Sequence, residues 1–184
     1  GGSIREQTVR LHEGRKSREI LPILMQEARI HIPENKQREF IEEKRSYYRK
    51  IAQISCFPEA FEVIHTLKQR GFKVALVTGS ALKNMQYALN GEQRSCFDLI
   101  LTGDEVNRDK PYPESYLMAA QRLELKPGEC IVVENAPLGI EAAKAAGMYC
   151  IAIETTLERE YLRSADCILE SIGELIENPV LATC

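Results

Sequence analysis

The spacing of apolar residues changes at Gly71. Before it, apolar positions recur at helical intervals. Ser17, Ile20, Leu21, Leu24, Met25 and Ala28 predict an amphipathic helix over about 17–29. Pro33 breaks the chain, and a second helix is predicted over about 35–54, with Phe40, Tyr47, Tyr48, Ile51 and Ile54 as its apolar stripe. Pro58 opens a third helix, with Phe61, Ile64 and Leu67 facing inward, and Arg70-Gly71 closes it. After Gly71 short β-rich runs alternate with helical stretches. Strands are predicted at 73–77, 97–101, 130–133, 149–153 and 167–169. Helices are predicted at about 81–89, 113–123, 137–146, 157–163 and 171–177. Such alternation over about 115 residues means a parallel sheet with helices on both faces. The fold class expected is therefore α/β, a Rossmann-like parallel sheet core with a small helical module in front. The boundary is expected near residue 56, giving 1–56 and 57–184.

Composition narrows the partners. The 184 residues carry 24 Lys and Arg against 27 Asp and Glu, a net charge of −3, which argues against a nucleic-acid footprint. No apolar run approaches the about 20 residues of a membrane span, and no signal-peptide pattern is present. The six cysteines contain no C-x-x-C, and three of them (Cys130, Cys150, Cys167) sit in strand-like runs. Reduced core thiols in a cytoplasmic protein are expected. Lys44 falls on the apolar stripe of the second helix. Either its stem packs while its ammonium reaches water, or the ammonium is aimed into a cleft at an anion.

Polar residues stand at three predicted strand ends. In Thr78-Gly79-Ser80, a hydroxyl ends a strand, glycine permits a tight turn, and a helix start follows. That combination suits a phosphate oxygen, and it also suits an ordinary capped turn. In Lys110-Pro111-Tyr112-Pro113, two prolines stiffen the loop around a lysine and restrict where its ammonium can go. In Glu134-Asn135, a carboxylate ends a buried strand just before Pro137 opens a helix that Gly147 closes. Ligands in open α/β sheets bind at that end, and a hard cation there takes oxygen donors. The alternative is a capping residue with a solvated neighbour. Taken together, a hydroxyl, a cation and a metal-type carboxylate on successive strand ends suggest phosphoryl transfer assisted by Mg²⁺.

The stretches VALVTGS (74–80), DKPYPESYL (109–117) and VVENAPLGIEAAKAAGM (132–148) resemble the haloacid dehalogenase superfamily, in particular its β-phosphoglucomutase-like branch. The helical pattern of 12–70 resembles that branch's cap domain. The resemblance implies that Thr78, with Gly79 and Ser80, holds the transferring phosphoryl group. Lys110 would neutralise its charge, and Glu134 and Asn135 would sit at the Mg²⁺ site. Arg15, Lys16 and Lys44 would reach the distal groups of the substrate.

Two departures accompany it. The branch usually carries two acids at its last motif, and here the second is Asn135. It also needs an amino-terminal D-x-D-G strand whose first Asp becomes an aspartyl phosphate. Among Asp98, Asp104, Asp109 and Asp166 none forms that motif. That strand would lie between 73–77 and 130–133. Without it those two runs are expected to flank a slot about 9–10 Å wide, two strand spacings, with unpaired edges. The function expected is a Mg²⁺-dependent phosphatase of a small phosphorylated metabolite such as a sugar phosphate, acting as a monomer. A β-phosphoglucomutase and a non-catalytic binding protein of the same fold are the alternatives. No turnover is expected of the chain as it stands.

Overall fold

The computed structural model describes residues 2–51 and 55–182. Three helices come first: α1 (Glu6–Leu11), α2 (Ser17–Ala28) and α3 (Glu34–Ile51). After α4 (Ala60–Gln69) the alternation begins, with β1 (Ala75–Val77), α5 (Leu82–Ala88), α6 (Gly91–Ser95) and β2 (Leu99–Leu101). It continues with α7 (Glu114–Arg122), β3 (Ile131–Glu134), α8 (Pro137–Ala145), β4 (Tyr149–Ile153), β5 (Cys167–Leu169) and α9 (Pro179–Ala182). Every strand pairing is parallel.

β4 shows why these residues build a two-sided layer. It is flanked by β3 and β5, and successive side chains point to opposite faces. Cys150 and Ala152 pack with Ile140, Ala142, Ala143 and Leu162. Ile151 and Ile153 pack with Val63, Leu175 and Leu181 on the other side. The alanines of α8 let that helix lie close to the sheet. Pro137 occupies its first turn, and Gly147 (φ 75°) takes the left-handed conformation that ends it.

Several expectations need correction. The short helix expected at 157–163 is a 3₁₀ turn, Arg159–Leu162, and that at 171–177 is another, Gly173–Ile176. Helices α1, α6 and α9 carry too few apolar positions to show a helical period, and the pattern did not reveal them. The apolar stripe expected on α3 is outside: Tyr47 is 63% and Ile51 57% exposed, and Phe40 and Tyr48 are exposed as well. Ile54 lies outside the described residues. The reason is that α3 packs chiefly beside α2 and turns Lys44, Arg45 and Tyr48 toward a cleft rather than a core.

The strands form two sheets, β1–β2 and β3–β4–β5, and β1 is not hydrogen-bonded to β3. A cavity of about 510 Å³ separates them, lined along one wall by Ala75–Val77 and along the other by Ile131–Glu134. Among the described residues no strand pairs with the inner edge of either. Val133, in the middle of the molecule by sequence pattern, is accordingly 42% exposed.

Candidate phosphate-binding site

A cleft of about 770 Å³ opens at the carboxyl ends of β1 and β3. Arg15, Lys16, Lys44, Thr78, Gly79, Ser80, Lys110, Glu134 and Asn135 all line it. The structure therefore brings every candidate side chain to one rim, although the roles differ in what each atom is free to do.

Thr78 stands one residue beyond β1, and its N–H donates to the Leu101 carbonyl at 2.9 Å, so the neighbouring strand fixes it. Its Oγ1 accepts the Ser80 N–H at 3.1 Å. The hydroxyl proton is left to donate toward the cleft. The free helix-start N–H groups expected after Ser80 are partly spent: Ser80 donates to Thr78, and Leu82 donates to Asp104 Oδ2 at 2.8 Å. A Cβ on Gly103 would come 2.2 Å from the Gly79 carbonyl, and one on Gly79 would come 3.2 Å from that of Gly14. Only backbones of this width let the amino-terminal segment sit directly on the Thr78 loop.

Glu134 is the most enclosed of the group. Its Oε1 accepts the Lys110 ammonium and, at 2.7 Å, the Tyr116 hydroxyl. Its Oε2 accepts the N–H groups of Asn135 at 2.9 Å and Ala136 at 3.2 Å, at the start of α8. Burial pushes the Glu134 carboxyl up. The Lys110 ammonium and these hydrogen bonds outweigh burial and hold it below the ordinary value. Tyr116 responds in the opposite sense: burial, then the Glu134 charge, push its phenol well above the usual range. Tyr116 also carries the Lys110 ammonium 4.8 Å from its ring centroid. Tyr116 escaped the motif analysis because a buried aromatic in a helix ordinarily reads as core.

Lys16 is held rather than free. Its N–H donates to Asp109 Oδ2 at 3.0 Å and its ammonium to the Val106 carbonyl at 2.9 Å. The ammonium also lies 3.0 Å from Asp109 Oδ1, whose side chain is 3% exposed. This ties the amino-terminal segment to the loop just before Lys110. Arg15 differs: its Nε is buried with no partner among the described residues, as suits an arriving anion. Lys44 is exposed as a whole residue, while partial burial and then Arg45 lower the pKa of its ammonium.

Glu13 was not singled out by its sequence context. It lines the same cleft, and burial, then the Glu134 charge, raise its pKa. A raised carboxyl favours the folded state while neutral, below the ordinary value near 4.5, and that contribution is lost as pH rises through the folded value. Replacing Glu13 by Gln should flatten this part of the stability–pH curve above the ordinary carboxylate value. It should also tighten inorganic phosphate binding by up to about tenfold at pH above the raised folded value, where Glu13 is charged. Thermal melts across pH and a phosphate titration check both.

Glu134 and Asn135 are the residues that would hold a divalent cation. Among the described residues no three His, Cys, Asp or Glu side chains are placed to share a metal. Mg²⁺ keeps several waters and takes one or two carboxylates plus phosphate oxygens, so Glu134 with the Asn135 side-chain oxygen fits its share of such a shell. Four donors now fill the Glu134 acceptor positions, so the fit requires Lys110 to turn away.

Comparison with known proteins agrees with this geometry. A family model described as haloacid dehalogenase-like hydrolase matches residues 1–153. The chain is 37% identical over 117 residues to the validoxylamine A 7′-phosphate phosphatase of Streptomyces hygroscopicus subsp. limoneus, covering 63% of this chain and 55% of that protein. It is 33% identical over 137 residues to a phosphorylated carbohydrates phosphatase of Thermotoga maritima, covering 73% of this chain and 62% of that protein. The chain thus spans somewhat more than half the length of these relatives. Among solved structures, a β-phosphoglucomutase from Clostridium difficile superposes with a TM-score of 0.81 at 25% identity, over 95% of this chain and 79% of that one. CbbY from Rhodobacter sphaeroides, in complex with xylulose-(1,5)bisphosphate, gives 0.76 at 25% identity, over 100% of this chain and 84% of that one. Strand order, cleft and family match agree, and the chain belongs to the haloacid dehalogenase-like hydrolase family.

Proposed function

We propose that the native protein is a Mg²⁺-dependent phosphatase of a small phosphorylated metabolite, a sugar phosphate foremost, working as a cytoplasmic monomer. The observation that carries this is the meeting of Thr78, Lys110, Glu134 and the unpartnered Arg15 Nε in one cleft. The relatives named as phosphatases of validoxylamine phosphate and of phosphorylated carbohydrates support the substrate class. Among the described residues no helix is long and apolar enough to cross a membrane.

In this reading the Thr78 hydroxyl donates to a phosphoryl oxygen. Lys110 turns from Glu134 to the phosphoryl group and neutralises charge there. Arg15 and Lys44 meet the distal end of the substrate, while Lys16 holds the segment in place through Asp109. Phosphorus is transferred from the substrate oxygen to an aspartate carboxylate that lies outside these 184 residues. The substrate oxygen leaves with a proton, and water then cleaves the acyl phosphate to inorganic phosphate. A bound Mg²⁺ would supply charge neutralisation at the phosphoryl oxygens beside Glu134 and Asn135.

The test is a panel of sugar phosphates offered to the native protein with and without Mg²⁺. Release of inorganic phosphate that depends on Mg²⁺ is expected. Quantitative isomerisation of a hexose 1-phosphate would instead support the mutase reading, which the structural likeness to a β-phosphoglucomutase favours. Inactivity across the panel, with phosphate still bound, would favour a binding protein.

A further inference from the structure

Asn135 brings an amide to a place where a carboxylate would offer two equivalent oxygens. An amide has one acceptor oxygen and one NH2 donor on a planar group of nearly symmetric shape. Only the oxygen suits a cation, so the group has to be turned one way. Asn135 lines the cleft, and Thr156 does not. Asn135 Nδ2 donates to Thr156 Oγ1 at 3.2 Å, which draws the nitrogen out of the cleft and leaves Oδ1 facing in. Among the described residues Oδ1 accepts no hydrogen bond. Thr156 is itself held in place. β3 and β4 lie in register with Glu134 beside Ala152. Beyond β4 the Thr155 N–H donates to the Ile153 carbonyl at 2.9 Å, a tight turn that brings the next residue beside Asn135. The Thr156 carbonyl then accepts Arg10 Nη1, and Arg10 Nη2 is paired with Glu6 Oε1 at 2.5 Å. Helix α1 thus braces the residue that holds the amide.

We propose that Thr156 is the positioning residue of the cation side of the site: its hydroxyl oxygen takes the Asn135 amide hydrogen and so fixes Asn135 with Oδ1 toward the cleft, where a divalent cation draws on it. This rests on the Mg²⁺ reading given above. A hydrogen bond behind a metal ligand sets the ligand's orientation and its basicity. An NH2 group that donates leaves the oxygen of its own amide more negative, which strengthens its hold on a cation. With a carboxylate at position 135 the sign reverses. The Thr156 hydroxyl would then donate to the carboxylate and draw charge away from it. Thr156 therefore supports cation binding by an amide at this position and gives no such support to a carboxylate.

The experiment measures Mn²⁺ affinity by water-proton relaxation for the wild type, Thr156→Val and Thr156→Ser, and again for the first two with Asn135→Asp in the background. Thr156→Val is expected to weaken Mn²⁺ binding by about tenfold or more, and Thr156→Ser, which keeps the hydroxyl, by less than about twofold. In the Asn135→Asp background Thr156→Val is expected to change the affinity by less than about twofold. An equal loss in both backgrounds would make Thr156 a packing residue of its loop and overturns the proposal. So does a Thr156→Ser variant as weak as Thr156→Val. Unchanged affinity in Thr156→Val overturns the proposal and leaves the Mg²⁺ reading standing, whereas a wild type with no saturable cation binding overturns both. A second measurement needs no variant. Coordination through Oδ1 strengthens the double-bond character of the amide C–N bond, so the Asn135 side-chain nitrogen resonance should move downfield as Mg²⁺ is added. A resonance that stays in place at saturating Mg²⁺ overturns the proposal.

Discussion

Replacing Lys110 by Ala is expected to destabilise the fold by about 3–5 kcal/mol at neutral pH, because it strands the Glu134 carboxylate without its counter-ion. The pair is well enclosed, with side chains 11% and 10% exposed. The sign of the pH dependence follows from what holds Glu134 low. With Lys110 present, the contribution of Glu134 is in place above the ordinary carboxylate value of 4.5 and is lost as pH falls through its lowered folded value. Without Lys110, the desolvation of this carboxylate is the largest remaining influence, and the carboxyl rises. The variant therefore regains stability relative to the wild type as pH falls toward 4.5 and the carboxyl protonates. Urea unfolding at pH 7.5 and pH 5 should show a deficit about twice as large or more at the higher pH. Under the proposed phosphatase reading, the same change in the native protein should lower turnover by about 10²-fold or more, the scale of losing one preorganised charge at a developing anion. A deficit that does not vary with pH would remove the ion pair from the account.

The second large effect is expected from Gly139→Ala, a change that normally strengthens a helix by about 1 kcal/mol. Here an added Cβ would lie 2.0 Å from Glu134 Oε1 and 2.1 Å from its Cδ. The carboxylate must leave its seat, giving up the Tyr116 hydroxyl and the Asn135 and Ala136 N–H groups together. Each buried group left unpaired costs about 1–3 kcal/mol, so a net loss of several kcal/mol outweighs the helical gain. Mg²⁺ and phosphate binding should fall together. Combining Gly139→Ala with Glu134→Asp, one methylene shorter, should recover part of the lost stability. Calorimetric melts of the two single variants and the double variant measure that coupling.

How much of this was legible in the residues depends on which physical signal each feature leaves. The alternation after Gly71 was readable because strands and helices carry different apolar periods. β4, apolar at every position of its 149–153 run, showed itself as a strand buried on both faces. Thr78, Lys110 and Glu134 were readable because each is a chemically active group placed at or just past a strand end or in a proline-stiffened loop. The open edges of β1 and β3 followed from the absence of a strand that the resemblance requires, and among the described residues those two strands are not hydrogen-bonded to each other.

Other features leave no such mark. Nothing in PLGIEAAKA says that Gly139, rather than any alanine, faces a carboxylate. That depends on the rotation of α8 against β3. Asp109 reads as one more loop acid, yet it is among the few buried charged residues and anchors Lys16. The stripe on α3 misled because helical periodicity tells that apolar residues share a face, and not what that face meets. Here it meets the cleft and solvent.

The central claim is that Thr78, Lys110 and Glu134 hold one phosphoryl group between them. The most direct measurement is a titration of the protein with inorganic phosphate, with and without Mg²⁺, followed by the backbone amide resonances. Saturable shifts are expected at Thr78, Gly79, Lys110, Glu134 and Asn135, strengthened by Mg²⁺ and abolished by Thr78→Val. Saturable shifts that leave these residues untouched, or none at millimolar phosphate, would contradict it.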